Sequence, residues 1–458
     1  MMKSGSIHGA FPGMTGQRSN SYTLLAVGDL HLGRRPSGLP PQLRPRADAM
    51  GPEAAWDRLI QQALGRAVDA VVLAGDVVES EDDLFEGYRA LERGVATLTE
   101  AGIAVVGVAG NHDVQVLPRL ADRIEDFHLL GRDGRWERVA LGSEREPVSL
   151  HGWSFRQTVV DNSPLEGVRL ERGPGLNLGL LHCDLDAADS RYAPVARSQL
   201  EAAGLDGWLL GHIHRPDPLS GPAPLGYLGS VTGLHPGELG ERGPWALVIE
   251  HGEIRSLEQW LLAPLHWQLV ELDLTGLTDV SAAEDRLLDS IRTLDTRLSQ
   301  RPLAPEACGL RVRLVGHSDL AGRVRDLLLR EPERDFSTGT RIAMFIERVE
   351  LATVPLRPLK TLAEERSPVG LLAARLLLLE RPPADPQRAA LIKRAARRLE
   401  SLLNQSRWQG LDAAPPSDAE IAAMLTDSAG RMLEVLLAQA ASRGHTQDDG
   451  QNDQAGAQ

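Results

Sequence analysis

Short apolar runs, each followed by polar residues, dominate the chain from Tyr22 to about Leu262. Runs of roughly four to seven residues rich in Val and Leu are typical of strands buried on both faces. They lie within residues 23–29, 69–76, 102–113, 148–153, 176–184, 207–214, 226–231 and 245–254. Helical patterns at Ala54–Arg66 and Leu84–Ala101 separate the early runs, and Gly and Pro turns separate the later ones. This order predicts strand–helix alternation followed by a meander, hence an α/β sandwich of two sheets with helices outside, of αββα type.

The pattern changes near Pro264. Strand patterns at 267–274, 309–316 and 340–351 alternate with helical patterns around 281–299 and 319–330. They predict a small α+β domain. After Pro358 the chain is rich in Leu, Ala and Arg, with helical patterns near 359–380, 386–406 and 417–443. The predicted organisation is a disordered leader (1–21), a catalytic domain (22–262), the α+β domain (266–352), a helical region (356–443) and a disordered tail (444–458).

The helical region lacks an obvious apolar partner of its own. Pairs of prolines at Pro382 and Pro415 separate its helices, which makes it harder for them to fold back on one another. Helices this short gain stability mainly by packing an apolar face against something else. We therefore expect this region to dock on a partner or on a second copy of the chain.

Composition restricts the class of protein. The 458 residues are 42% hydrophobic and 24% charged, and no apolar stretch is long enough for a membrane helix. The leader has no apolar signal-peptide core, and the two cysteines lie far apart, so we expect a reducing, cytoplasmic compartment. The net charge is −14, of which residues 22–260 carry −13. This acidity argues against a general nucleic-acid coat protein, and bound divalent cations would neutralise part of it.

Polar residues close five of the strand runs, where binding sites form in open α/β sheets. These residues are Asp29, His31, Asp76, Asn111, His112, Asp113, His182, His212 and His214. Residues two apart in extended chain share a face, so Asp29 with His31 and His212 with His214 can each reach one site. Imidazole and carboxylate ligands without thiolates favour Mn²⁺, Fe²⁺ or Zn²⁺.

Each motif alone has a structural alternative. Asp76 after Gly75 fits a turn or a helix cap, Asn111 fits a turn, and a lone His182 fits a hydrogen-bonded core histidine. Five such motifs, each closing a buried strand, together favour a metal site. Because a carboxylate has two oxygens, one Asp can bridge two ions about 3.5–4 Å apart, and such a pair binds and hydrolyses phosphate esters. The sequence therefore predicts a two-metal phosphoesterase.

The series Asp29-Leu30-His31, Gly75-Asp76, Gly110-Asn111-His112-Asp113, His182 and Gly211-His212-Ile213-His214 resembles the calcineurin-like metallophosphoesterase superfamily. The resemblance implies one metal held by Asp29, His31, Asp76 and His214. It implies a second metal, bridged by Asp76, with further ligands Asn111, His182 and His212. It also implies that His112 contacts the phosphate and acts as general acid, with Asp113 as the carboxylate that orients it. A helix-capping turn is the alternative role for Asp113.

Within the superfamily, the segment 29–33 and the long chain resemble the SbcD-type DNA repair exonucleases, especially their YhaO-like branch. That family implies DNA as substrate, Mn²⁺ as the metal, a capping domain, and C-terminal helices that bind the base of an SMC-like ATPase. One position departs from the pattern: archaeal and eukaryotic relatives have a histidine three residues after the bridging aspartate, where this chain has Glu79. The acidic run that follows, to Asp83, would repel a DNA backbone if it faced the binding groove.

The leading prediction is a DNA exonuclease or endonuclease subunit of an SMC-like complex. The first alternative is a small-molecule phosphoesterase, acting on cyclic nucleotides or phosphomonoesters, whose C-terminal half controls access. The second is a DNA-binding or scaffold subunit with little catalysis. His151 is interpreted as a core histidine and Cys183 as pointing away from the metals. The basic cluster Lys393, Arg394, Arg397 and Arg398 is interpreted as a solvated helix face, with DNA phosphate or an acidic partner as alternatives.

Overall fold

The structure is a computed structural model that describes residues 21–79, 84–143, 145–330, 334–337, 339, 341–354, 358–403 and 416–448. The chain divides into two compact units. The first takes in the chain up to Leu269 together with Arg292–Leu310 and Glu333–Glu347, and the second takes in Val270–Ile291, Arg311–Pro332 and everything from Arg348 onward. The predicted leader, apart from Ser21, and the whole acidic run after Glu79 (80–83) lie outside the described residues.

Six strands of the first unit form one sheet. They are β1 (Tyr22–Val27), β2 (Ala70–Ala74), β3 (Ala104–Val108), β4 (Phe127–Leu129), β10 (Trp245–Glu250) and β11 (Glu253–Gln259). Their order is β11-β10-β1-β2-β3-β4. Strands β1 to β4 run parallel, whereas β10 pairs antiparallel with both β1 and β11. The carboxyl ends of β1, β2 and β3 therefore lie side by side.

A second sheet contains five strands in sequence order. They are β5 (Glu137–Gly142), β6 (Pro147–Trp153), β7 (Leu176–His182), β8 (Gly207–Gly211) and β9 (Leu225–Tyr227). Because β6 to β9 are parallel, the predicted meander is wrong for this region. Parallel pairing requires a long connection that returns the chain to the starting edge of the sheet. The segment 154–175 is long enough for this return, although its sequence has no helical pattern.

The two sheets pack face to face with helices outside, so the predicted αββα sandwich is confirmed. The helices of this unit are α1 (Pro52–Gly65), α2 (Leu84–Glu100), α3 (Leu117–Ala121) and α4 (Arg197–Ala202), with 3₁₀ turns at Arg44–Met50 and Arg132–Gly134. Alternate residues of the fully buried β2 face different layers. Leu73 joins the cluster that contains Trp56 of α1 and Leu91 of α2, whereas Val72 joins the inter-sheet cluster that contains Leu180.

The predicted α+β elements are also present. They are β12 (Leu265–Asp273), α5 (Val280–Ser299), β13 (Ala307–Val315), α6 (Ala321–Leu328) and β14 (Ala343–Leu351). The three strands form a separate sheet in the order β12-β13-β14. The division into domains and the capping role of this segment stay predictions.

The C-terminal helices are α7 (Leu359–Ala363), α8 (Pro368–Leu379), α9 (Pro386–Leu403) and α10 (Asp418–Asp448). The helical pattern predicted near 359–380 is divided between the two helices α7 and α8. The Oγ of Ser367 accepts a hydrogen bond from the backbone N–H of Gly370 (3.1 Å), and Pro368 occupies the first turn, so a new helix begins there.

The helices do fold back on one another, contrary to the prediction. Ala373 and Leu376 of α8 share an apolar cluster with Leu433 and Leu437 of α10, because burying these apolar faces against each other stabilises both helices. Helix α10 also continues five residues into the predicted tail, whose last ten residues (449–458) lie outside the described part. In that part, no helix combines the length and apolar character needed to cross a membrane.

Candidate metal centre

The polar residues that follow the strands of both sheets meet at one place in the first unit. The backbone N–H of His31 donates to the carbonyl of Asp76 (2.9 Å), which ties the end of β1 to the end of β2. The backbone N–H of His212 donates to the carboxylate of Asp29 (3.0 Å), which ties β8 to β1. The backbone N–H of His112 donates to the carboxylate of Asp76 (3.0 Å). These contacts bring together strand ends that are far apart in sequence.

Four of these strand-end residues have a strained backbone conformation. Asp29, His31, Asp76 and His212 all have positive φ angles, of 34°, 51°, 47° and 106°. Such conformations are uncommon for residues other than glycine, and they cluster at functional sites where the surrounding structure holds them. The strain therefore supports a functional role for these strand ends.

Two glycines next to the site residues leave room for close contact. A Cβ on Gly75, whose φ is 88°, would lie 2.6 Å from Nδ1 of His182. A Cβ on Gly110 would lie 2.1 Å from Oδ1 of Asp76. A side chain at either position would push a predicted ligand out of place.

His31 and His214 point the same ring nitrogen at each other. Their Nε2 atoms are 3.0 Å apart. Nδ1 of His31 lies 2.7 Å from Oε2 of Glu79, and Nδ1 of His214 lies 2.7 Å from Oε1 of Glu238. Because a carboxylate accepts from an N–H, each neutral ring carries its proton on Nδ1 and directs a lone pair from Nε2 at the other ring. Two such lone pairs repel each other unless a cation lies between them, so this pair fits a metal ion.

His182 repeats this arrangement on the other side of the site. Its Nδ1 donates to the carbonyl of Ala74 (3.0 Å), so Nε2 is the ring nitrogen that faces Oδ2 of Asp76 (3.4 Å) and Oδ1 of Asn111 (3.1 Å). Potential ligand atoms in two groups lie within 4.8 Å of one another: Asp29, His31 and His214 form one, and Asp29, Asp76 and His182 form the other. Asp29 is common to both groups, and Oδ2 of Asp76 is 3.9 Å from Nε2 of His31. The donor set fits two neighbouring cations.

His212 belongs to neither group but lies against them. Its ring packs edge-on against His182, with centroids 5.1 Å apart, and lies 5.2 Å from the ring of Tyr192. Its Nε2 is 3.3 Å from Oδ1 of Asp184. Asp184 is thus a carboxylate partner of His212, through Nε2, whereas Glu79 and Glu238 contact Nδ1 of their histidines. Such outer partners fix the orientation of metal-ligating rings.

The structure separates the two residues predicted to act in acid catalysis. The side chain of His112 is 44% exposed, and its Nδ1 lies 3.5 Å from Oε1 of Glu79. Asp113 is fully buried, and its carboxylate accepts from the backbone N–H groups of Val77 (2.7 Å) and Gly110 (2.8 Å). The carboxylate beside the ring of His112 is therefore that of Glu79, and Asp113 holds the backbone around Asp76.

The electrostatics favour positive charge between these groups. Burial would raise the pKa of Asp76, but the neighbouring rings of His182 and His31 outweigh it and hold that pKa well below its usual range. Burial lowers the pKa of His182, but Asp76 outweighs it and raises this pKa to about 9. The hydrogen bond to Glu79 raises the pKa of His112. A carboxylate that keeps its charge while buried among imidazoles is suited to hold a cation.

Sequence reasoning missed three residues of the site. Asp184 could have been found, because it follows His182 at the same two-residue spacing used for the other pairs. Glu238 contacts the ring of His214, and Arg242 donates to its backbone carbonyl. These two residues are 24 and 28 positions from that histidine, and no local pattern points to them. His151 is a core histidine, with Nε2 3.1 Å from Oδ1 of Asn177.

Cys183 is also buried away from the site, in an apolar cluster with Trp153 and Leu181. Cys308, the other cysteine of the chain, is likewise buried, and neither forms a disulfide. These placements agree with the interpretation of Cys183 as a residue that faces away from the metal ligands.

Comparisons with known proteins indicate the family. The family model of the calcineurin-like phosphoesterases matches residues 22–216, and that of the YhaO metallophosphoesterase middle domain matches residues 267–354. The metallophosphoesterase YhaO of Bacillus subtilis (strain 168) is 26% identical over 286 residues, which cover 61% of this chain and 66% of that protein. The DNA double-strand break repair protein Mre11 of Methanopyrus kandleri is 26% identical over 208 residues, covering 42% and 44%. The chain thus spans less than two thirds of each relative.

A crystal structure of a dimetal phosphatase from Danio rerio has 12% sequence identity and a TM-score of 0.33, covering 53% of this chain and 99% of that one. The resemblance inferred from the motifs is confirmed by the family models. Residues 22–216 form a calcineurin-like metallophosphoesterase domain.

Proposed function

We propose that this chain, which carries a calcineurin-like metallophosphoesterase domain, is a metal-dependent phosphodiesterase that cleaves DNA. The observation that carries the proposal is the pair of Nε2 atoms of His31 and His214 3.0 Å apart, with both Nδ1 atoms already bonded to carboxylates. Buried carboxylates lie beside this pair and beside His182. This arrangement is suited to two divalent cations.

The ligands of the proposed metals divide into two sets. Asp29, His31, Asp76 and His214 would hold one ion, and Asp76, Asn111, His182 and His212 the other. A pair of divalent ions such as Mn²⁺ neutralises the charge on phosphate oxygens and activates water near neutral pH. Fe²⁺ and Zn²⁺ suit the same nitrogen and oxygen donors.

His112 is the proposed general acid. Its ring is partly exposed, and its backbone N–H binds Asp76, so it is fixed at the rim of the site without occupying a ligand position. With Nδ1 near Glu79, its Nε2 remains available to give a proton to the leaving oxygen. Asp113 supports this arrangement indirectly through its bonds to the backbone of Val77 and Gly110.

DNA is favoured as the substrate by similarity. The Mre11 relative is described as a DNA double-strand break repair protein. The acidity of residues 22–260 supports an alternative, a phosphoesterase that acts on cyclic nucleotides or phosphomonoesters. A third possibility is a weakly catalytic subunit that binds DNA.

Assays of the purified chain with Mn²⁺ separate these functions. The substrates are linear duplex DNA, a nitrophenyl phosphodiester, a cyclic nucleotide and a phosphomonoester. DNA cleavage that is lost in Asp76→Ala but kept in His151→Asn, a buried histidine outside the site, supports the proposal. Faster turnover of the cyclic nucleotide or monoester than of the diesters would favour the small-molecule alternative, and DNA binding without hydrolysis would favour the third.

We also propose that the C-terminal helices bind a partner, an SMC-like ATPase subunit or a second copy of the chain. Leu371 of α8 and Met424 and Met432 of α10 are 64%, 52% and 53% exposed, so these helices present large apolar side chains that a partner can cover. Co-expression with the ATPase tests the proposal. Leu371→Gln with Met432→Gln should abolish co-purification and leave diester hydrolysis unchanged. Retained complex formation would argue against these helices as the docking surface.

A further inference from the structure

The carboxylate of Glu79 contacts two site histidines through different oxygens. Its Oε2 lies 2.7 Å from Nδ1 of His31, and its Oε1 lies 3.5 Å from Nδ1 of His112. The guanidinium of Arg34 lies 3.8 Å from Oε2. Only 20% of the Glu79 side chain is exposed. The negative charge is therefore directed into the site and compensated there, rather than presented to a DNA groove.

The backbone holds Glu79 beside His31. The N–H of His31 donates to the carbonyl of Asp76 (2.9 Å), and that of Leu32 donates to the carbonyl of Val77 (2.9 Å). The N–H of Glu79 returns a hydrogen bond to the carbonyl of Leu32 (3.0 Å). This short parallel bridge fixes the position of Glu79 relative to the histidine, so the side-chain contact follows from the backbone arrangement.

We propose that Glu79 is a positioning residue that aligns His31 and His112 together. An ionised carboxylate accepts from both Nδ1–H groups at once and leaves the Nε2 of each ring available for the chemistry. The part that concerns His112 rests on the proposed function. Glu238 provides the matched comparison, because it contacts Nδ1 of His214 at the same distance of 2.7 Å. Its other histidine neighbour, His235, has no proposed catalytic role.

The test compares Glu79→Gln with Glu238→Gln. A glutamine has a single acceptor oxygen, so at position 79 it can serve only one of the two N–H groups. Calorimetry with Mn²⁺ alone should show that both variants bind metal roughly 10–100-fold more weakly. At saturating Mn²⁺, Glu79→Gln should lose about tenfold more rate on a diester with an alkyl leaving group than on one with a phenolic leaving group. Glu238→Gln should lose equally on both.

A double variant makes the assignment sharper. If Glu79 acts through His112, adding Glu79→Gln to His112→Gln should not increase the difference between the rate losses on the alkyl and the phenolic diester. Equal rate losses of Glu79→Gln on both diesters, or unchanged Mn²⁺ affinity, would overturn the proposal. Absence of hydrolysis by the unmodified chain would count against the proposed function instead. The positioning role of Glu79 can still be tested then, because calorimetry and the imidazole nitrogen NMR shifts of His31 and His112 report its two contacts without turnover.

A separate observation concerns the helices α8 and α9, which line a cavity of about 580 Å³. The lining side chains are Arg375, Leu378, Gln387, Ala390, Lys393, Arg394 and Arg397. Four of the seven are cationic and none is acidic. Within the described part of the chain, none of the four cations has an ion-pair partner, and all four are exposed. Unpaired cations gathered around one cavity indicate a site for anions.

We infer that this cavity binds backbone phosphates of nucleic acid. The apolar lining is limited to Leu378 and Ala390, which gives little anchorage for a protein helix. Guanidinium groups match the geometry of phosphate oxygens, and the three arginines come from two different helices, so they can contact more than one phosphate. Arg398 offers a control, because it is exposed on the same helix α9 but does not line the cavity.

Fluorescence anisotropy with a labelled DNA duplex tests the site in the full chain at several salt concentrations. The double variant Arg394→Gln with Arg397→Gln should bind the duplex at least about tenfold more weakly. The slope of the logarithm of its binding constant against the logarithm of the salt concentration should fall in magnitude by about two. Arg398→Gln should bind within about twofold of the unmodified chain. An equal loss of DNA affinity in Arg398→Gln would overturn the site. Stronger competition by polyglutamate than by unlabelled duplex would also overturn it, and would indicate an acidic protein partner.

Discussion

The strand-end site and the C-terminal helices hold their functional groups in opposite ways. At the site, Asp29, His31, Asp76 and His182 are almost completely buried, and each contacts a further group of the site. The four cations that line the cavity of α8 and α9 are exposed, and they have no ion-pair partner among the described residues. A buried polar group costs free energy unless it is satisfied, so the fold itself must provide its partners. An exposed cation imposes no such requirement, so its partner can be another molecule.

The difference indicates that the site depends on contacts within the fold, whereas the helical surface depends on contacts with another molecule. The site is preorganised by backbone strain and by outer carboxylates, and it should fail sharply when one member is removed. The helical surface should tolerate single changes and lose binding in steps. Four predictions test this contrast.

The largest effect is expected for Asp76→Ala. This change removes the carboxylate that lies between His31 and His182 and that binds the N–H of His112. Metal analysis should show loss of both ions, and diester hydrolysis should fall by roughly a thousandfold or more. Two divalent ions per chain in the purified variant would contradict the bridging assignment.

The next effect is expected for His112→Gln. The variant should keep both metals, because the ring is not a proposed ligand, and lose about 10²–10⁴-fold in rate on DNA, whose leaving alkoxide needs a proton. A diester with an acidic phenol should lose less. The ratio of the two losses is the measurement. A ratio near one would mean that His112 only positions the phosphate.

Acid should remove the stabilising contribution of His266 from the first unit and leave the apolar helical cluster of the second unaffected. His266, at the start of β12, is buried, and burial lowers its pKa to about 4, against about 6.5 in an unfolded chain. Between these values the unfolded state binds the proton and the folded state does not, so stability is lost as pH falls from about 6.5 to about 4, by at most about 3 kcal/mol.

Hydrogen exchange across this pH range measures the effect. The apolar cluster of α8 and α10 contains no titratable side chain among its described members, so its protection should change little. His266→Gln should flatten the pH dependence of the first unit. An unchanged dependence would exclude His266 as its source.

The smallest effect on stability is expected when a glycine is replaced by alanine in each of the two regions. Gly110→Ala places a Cβ 2.1 Å from Oδ1 of Asp76 and should cost about 1–3 kcal/mol of stability and weaken Mn²⁺ binding. Gly430→Ala, within α10 and with nothing near its Cβ, should stabilise by about 0.5–1 kcal/mol. Denaturation of both variants gives the two signs. Stabilisation by Gly110→Ala would contradict the crowded site.

Part of the fold could be predicted because local patterns report burial. The run around Val71 is apolar at every position, which only a strand covered on both faces requires, and the elements of the sandwich followed from such runs. The direction of β6 to β9 could not be predicted, because an antiparallel strand covered on both faces has the same continuous apolar pattern as a parallel one. The break at Ser367 was missed because the apolar helical pattern continues through it, although Pro368 was a visible signal.

The sequence by itself determined the strand-end motifs and the chemistry of their donors, since these depend only on residue type and on a spacing of two. The tertiary structure decided which partner each histidine has. Glu79 lies beside His112 where Asp113 was expected, and Glu238 reaches His214 from 24 positions away. The reason is physical: a side-chain hydrogen bond depends on distances of about 3 Å between atoms that the fold brings together. Spacing along the chain restricts such distances only within one strand or one helical turn.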